Sequence, residues 1–109
     1  MHIGWNGRDR AVLGGLRLPG GCTATTGYKQ GCGMRAHFDL GVGGPVTVAT
    51  ATSGLHVKIK DKTTGTKLAS GTLNGSLTTT LPASHEYSLY LFPDNGSVVG
   101  SMSLSLTWP

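Results

Sequence analysis

Leu55-His56-Val57-Lys58-Ile59-Lys60 decides the fold. Leu55, Val57 and Ile59 alternate with His56, Lys58 and Lys60, so an extended backbone turns three branched side chains one way and three polar ones the other. Such a segment buries one face and wets the other, as strands of antiparallel sheets do. The same period runs on either side. In Arg35-Ala36-His37-Phe38-Asp39-Leu40, the apolar Ala36, Phe38 and Leu40 alternate with polar residues. In Tyr87-Ser88-Leu89-Tyr90-Leu91-Phe92, one face is Tyr87, Leu89 and Leu91. Met102 to Trp108 keeps the period of two unbroken. Val46 to Thr50 and Leu77 to Leu81 add β-branched runs of strand length.

Turn chemistry separates these runs. Gly43-Gly44-Pro45, Ser53-Gly54 and Asp61-Lys62-Thr63-Thr64-Gly65 punctuate the first half of the series. Asn74-Gly75 and Asp94-Asn95-Gly96 read as hairpin turns. Each Asn also begins an Asn-Gly-Ser glycosylation sequon, but turn chemistry already accounts for the Asn-Gly pairs. About six or seven strands at this spacing predict a sandwich or barrel. No segment keeps a 3.6-residue period over a helix length, and Gly14 and Gly15 interrupt the one candidate, Arg10 to Leu18.

Composition agrees. The chain has 109 residues, enough for one domain. Charged residues are 13%, against a usual ~25%. The 18 glycines keep no collagen period, and no apolar run approaches the ~20 residues of a membrane-spanning helix. The net charge of +4 is mildly basic and falls short of a nucleic-acid signature. Composition shifts near residue 34: residues 1–33 are rich in Gly and Arg with weak periodicity, and 34–109 hold the alternating strands. The first part reads as an arm that packs on the rest or on a neighbour. Its opening, Met1 to Arg8, places Asn6-Gly7 where a secretory signal needs an apolar core, so no such signal is read there.

Cys22 and Cys32 fit neither a Cys-x-x-Cys zinc site nor a redox motif. They flank a Gly- and Thr-rich loop with little apolar packing of its own. A disulfide there removes loop entropy worth about 2–3 kcal/mol and points to an oxidising compartment. Two reduced, small apolar side chains are the other reading.

Chemistry is sparse. The five carboxylates are Asp9, Asp39, Asp61, Glu86 and Asp94. Nothing pairs Asp39 with Glu86 as a glycosidase requires. His2, His37, His56 and His85 lack zinc-motif spacing, and His37-x-Asp39 reads as a solvated strand face. No Gly-x-Ser-x-Gly elbow exists, and Gly41-Val42-Gly43-Gly44-Pro45 is followed by no Gly-Lys-Ser/Thr. No catalytic residue, metal or cofactor is expected. Lys58, Lys60, Lys62 and Lys67 cluster with His56 on one hairpin. They read either as a strip for an anionic partner or as lysines that block sheet-to-sheet pairing at an edge. With no aromatics on that hairpin, nucleic acid is disfavoured. Tyr90 and Phe92 lie opposite Tyr87, Leu89 and Leu91. They are exposed for stacking or for an interface, or else both faces are covered, with the N-terminal arm as the cover. Trp5 and Trp108 anchor the ends.

Between 36 and 107 the chain resembles the bacterial pre-peptidase C-terminal domain and related immunoglobulin-like or jelly-roll modules. The likeness is carried by His37-Phe38-Asp39-Leu40 before Val46-Thr47-Val48, then by Ser53 to Asp61 and Gly65 to Gly71. Leu81 to Leu89 and Ser101 to Leu106 complete it. The family's Gly-Thr-Tyr stands here as Ser84-His85-Glu86-Tyr87, and its acidic early stretch is largely missing. The resemblance implies a non-catalytic β-sandwich that binds or spaces.

The expected fold is therefore all-β, an antiparallel two-sheet sandwich over 34–109 with a Gly-rich N-terminal arm over 1–33. The expected role is a structural or binding module. A lone sandwich with an extended arm resembles capsid decoration proteins of tailed phages, which assemble on a virion surface against other subunits or copies of themselves. The alternative is a secreted carbohydrate-binding or adhesive module. The expected contact residues are Trp5, His56, Lys58, Lys60, Tyr90 and Phe92.

Overall fold

The computed structural model describes residues 2–3, 10–39, 43–82 and 85–108. Nine strands run in chain order: β1 His2–Ile3, β2 Arg10–Leu18, β3 Met34–Asp39, β4 Gly44–Ala49, β5 Leu55–Asp61, β6 Lys67–Leu73, β7 Ser76–Leu81, β8 Glu86–Pro93 and β9 Val99–Thr107. One sheet has the order β1-β3-β8-β5-β6 and the other β2-β9-β4-β7. All pairings are antiparallel except that of the two-residue β1 with β3.

From β2 to β5 the chain changes sheet at every step. It pauses in one sheet for the β5–β6 hairpin, then alternates again to β9. This is the strand order of a jelly roll, an eight-stranded double-sheet solution to the edge problem. The inward residues of the two sheets meet in one core. Leu55, Val57 and Ile59 on β5 and Tyr87, Leu89 and Leu91 on β8 are all 0% exposed. Val46, Val48, Leu104 and Leu106 oppose them from the other sheet. The Phe38 and Tyr87 rings stack within this core at 5.3 Å.

Two sequence expectations meet a different outcome, and a third difference is a strand that the sequence left unread. Arg10–Leu18, read within an arm, is hydrogen-bonded along β9 as a strand of the four-stranded sheet. Ala11 and Leu13 pack on the core, two glycines slip the phase by one residue, and Leu16 and Leu18 resume the inward positions. A compensating slip lies on β9, where Ser101 takes φ 52°. The break in period hid the strand. Second, Asn74-Gly75 and Asp94-Asn95-Gly96 carry the chain from one sheet to the other, so neither closes a hairpin. Gly75 at φ 91° and Gly96 at φ 81° supply the reversal. A turn residue reverses the chain but does not choose the sheet that receives the next strand. Third, β6 had no readable alternation, because Ala69 and Gly71 are its only small inward residues before Leu73. The Asp61 to Gly65 hairpin, in contrast, forms as read, with Gly65 N–H donating to Asp61 O at 2.7 Å.

Candidate functional site

The outer face of the five-stranded sheet is built from the residues that alternate with the core. Register sets them in rows across β3, β8, β5 and β6. One row is Arg35, Tyr90, Lys58 and Ser70, and the next is His37, Ser88, Lys60 and Lys67. These two central rows carry four permanent charges' worth of Lys and Arg and no carboxylate. Asp39 and Glu86 form the row beyond, where Lys62 Nζ reaches Glu86 Oε1 at 3.2 Å.

Aromatic rings sit at the centre. Lys58 Nζ lies 4.7 Å from the Tyr90 ring centroid, a cation–π contact. Tyr28 approaches the same ring at 4.9 Å with an interplanar angle of 56°. Tyr28 comes from the segment that the Cys22–Cys32 disulfide closes, with Cα atoms 6.0 Å apart. That segment folds over the end of the face. Cys22, Cys32 and Phe92 form a second small apolar cluster, with Tyr28 packed against it. Gly33 N–H donates to Pro19 O at 2.7 Å, and Ala24 N–H to Asp94 O at 3.2 Å, which ties the segment down.

Three shallow depressions result. One, of about 260 Å³, is lined by Tyr28, His56, Lys58, Lys67 and Ser70. A second, of about 240 Å³, is lined by Arg35, His37, Lys60, Lys62, Ser88 and Tyr90. A third, of about 370 Å³, lies on the β3 side and includes Tyr28, Gln30 and Arg35.

Titration follows from this setting. Burial holds the His37 imidazole below its usual 6.5, and the Lys62 and Arg35 charges add to that against the opposing pull of Glu86. His37 Nδ1 and Ser88 Oγ are 3.1 Å apart. Ser88 sits mid-strand on β8, flanked by β3 and β5, so the neighbouring backbone N–H groups face the ladders. Among the described residues no three His, Cys, Asp or Glu side chains gather as a metal site.

The expected contact residues fare unevenly. Lys58 and Lys60 stand on this face, and Tyr90 is half-buried at its centre. His56 is half-buried, its ring 5.0 Å from that of Phe92. Phe92 is 1% exposed beneath the disulfide-closed segment and presents no surface to a partner. So a cover drawn from residues 1–33 exists, and it covers Phe92 far more than Tyr90. Trp5 lies outside the described residues. Sequence reasoning missed Arg35 and Tyr28 as members of the face. Arg35 follows from the alternation of β3, but Tyr28 lies in a stretch without period, and only the bracketing cysteines hint that it is held.

The fold and this face together define a jelly-roll sandwich, β2 to β9 with the short β1 added at one edge, that has a basic sheet surface. Among solved structures the chain is similar to PliG of Aeromonas hydrophila, a periplasmic inhibitor of g-type lysozyme. The TM-score is 0.62 at 16% identity, covering 97% of this chain and 94% of that one. It is also similar to the C-terminal CBM6 module of LamC, a laminarinase of the marine Zobellia galactanivorans. There the TM-score is 0.46 at 12% identity, over 89% of this chain and 99% of that one. No protein-family model and no curated protein matches the sequence. The resemblance to pre-peptidase C-terminal domains thus holds at the level of the β-sandwich alone.

Proposed function

We propose that this protein is a non-catalytic binding module that engages an anionic partner through the outer face of its five-stranded sheet. One observation carries this reading: Arg35, Lys58, Lys60 and Lys67 occupy the two central rows with no carboxylate among them. Like charges held together at this density cost stability in an otherwise low-charge protein, and an anionic partner relieves that cost. The whole-chain fold likeness to a periplasmic inhibitor supports a sandwich that works by binding. The Cys22–Cys32 disulfide supports an extracytoplasmic site of action. The reading as a virion subunit drew on a lone sandwich with an extended N-terminal arm, and the Arg10–Leu18 part of that segment lies in β2.

The test holds net charge constant. Lys58→Ala/Lys60→Ala removes two charges from this face, and Arg10→Ala/Arg17→Ala removes two from a strand of the other sheet. On an anionic matrix, the first pair is expected to elute at clearly lower salt than the wild type, and the second close to it. Equal shifts for both pairs would mean that net charge alone is being read, and the assignment of the face would fail.

A further inference from the structure

Resting on that reading of the face, we propose that its ligand is an acidic polysaccharide, bearing a carboxylate or sulfate on successive sugar units, that lies across the three depressions around the Lys58–Tyr90 contact. Two of the depressions fall below the ~300 Å³ where small-molecule sites start, and the third is only a little above it. Each has a cation in its wall: Lys58 and Lys67 in one, Lys60 and Lys62 in another, and Arg35 between the second and the third. The third shares Tyr28 with the first and Arg35 with the second, so each adjoins another across a common side chain. Small adjoining sites with repeated cations suit a chain with one charge per unit better than a single compact anion.

The chemistry of the walls selects among chains. A sheet face offers side chains only, because its backbone N–H and C=O groups point sideways into the ladders. An acidic peptide laid here finds no ladder of backbone groups to match its own, and the strand-addition mode that satisfies peptides works at an edge. A sugar unit carries its polar groups on its rim, where Gln30, Ser70 and the Tyr28 hydroxyl are available to pair with them. Nucleic acid would need an open aromatic face for its bases. Tyr90 is occupied by the Lys58 ammonium and crowded by the Tyr28 ring, and Phe92 is covered.

The experiment titrates the intact, oxidised protein with three oligomers of equal length and charge, an oligouronate, a sulfated oligosaccharide and oligoglutamate, and follows backbone amide shifts by NMR. One of the two acidic saccharides, or both, is expected to bind at least about tenfold tighter than oligoglutamate. The shifts should centre on Arg35, Lys58, Lys60 and Tyr90, and Lys60→Ala should weaken that binding several-fold. Which saccharide binds distinguishes carboxylate from sulfate. Oligoglutamate binding as tightly at the same residues would overturn the saccharide assignment and leave the anionic face standing. If none of the three perturbs these residues, the face itself is wrongly assigned.

Discussion

Gly33 joins the disulfide-closed segment to β3 with φ +64°. A Cβ there would lie 2.2 Å from the Leu91 carbonyl oxygen and 2.6 Å from the Phe92 Cβ. Neither atom is the end of a flexible side chain, so the backbone itself would have to move. Gly27 shares the positive φ, at +76°, with nothing within 4 Å of its would-be Cβ. Gly27→Ala is therefore expected to cost about 1–2 kcal/mol, the left-handed penalty alone. Gly33→Ala should cost more by at least about 1 kcal/mol of overpacking. Urea unfolding of the two variants separates the terms, and equal costs would refute the steric argument. Asp61 is the other residue whose role is local. It is buried at the end of β5, accepting from Thr63 N–H at 2.8 Å and Thr64 N–H at 3.2 Å, with His85 Nδ1 at 2.6 Å. Burial pushes its carboxyl upward, but the His85 and Thr64 hydrogen bonds, the His85 charge and the Thr63 hydrogen bond together bring it below 3.8. A carboxyl more acidic in the folded state contributes stability that is fully present above the unfolded value and lost as pH falls through the folded one. Wild-type melting temperature should thus fall on acidification below about pH 3.8 by more than that of Asp61→Asn. Parallel curves for the two proteins would show that Asp61 does not carry this acid sensitivity. The sequence marked Asp61 as a turn residue, which the Thr63 and Thr64 contacts bear out. Its pairing with His85, 24 positions away, needed the fold.

At the scale of elements, the segment from Pro19 to Gly33 matters most. It has no strand longer than a single bridge, Thr23 to Asn95, yet it covers Phe92 and holds Tyr28 against Tyr90. The disulfide closes ten residues of it. Cys22→Ser/Cys32→Ser is expected to lose about 2–3 kcal/mol of unfolding free energy through the loop entropy returned to the unfolded chain. If the oxidised protein and this variant share one denaturation midpoint, the staple contributes nothing. β2 teaches a related lesson. Its inward Ala11, Leu13, Leu16 and Leu18 were present in the sequence throughout, but a bulge at Gly14-Gly15 put the two halves out of phase. Period counting works where a strand is regular and fails at the residue inserted to bend it.

Across the whole molecule, the two sheets turn unlike faces outward. The four-stranded sheet sets Thr107, Thr47 and Thr78 in one row, with the Thr47 and Thr78 hydroxyls 2.8 Å apart. The five-stranded sheet sets Lys and Arg in its rows. A net charge of +4, unremarkable when averaged over the surface, becomes a directed field because the sheet order brings Arg35, Lys58, Lys60 and Lys67 to one side. Alternation by itself determined the regular strands β3, β5, β8 and β9 and which of their side chains turn inward, as Leu55, Val57, Ile59, Tyr87, Leu89 and Leu91 attest. That information is local, since successive side chains of an extended chain must point to opposite sides. Only the tertiary structure decided which strands share a sheet, that Asn74-Gly75 crosses the core, that Phe92 is roofed over and that Tyr28 meets Tyr90. Those outcomes depend on contacts between segments tens of residues apart. Their selection rests on how two whole faces fit together, which no short window of sequence contains.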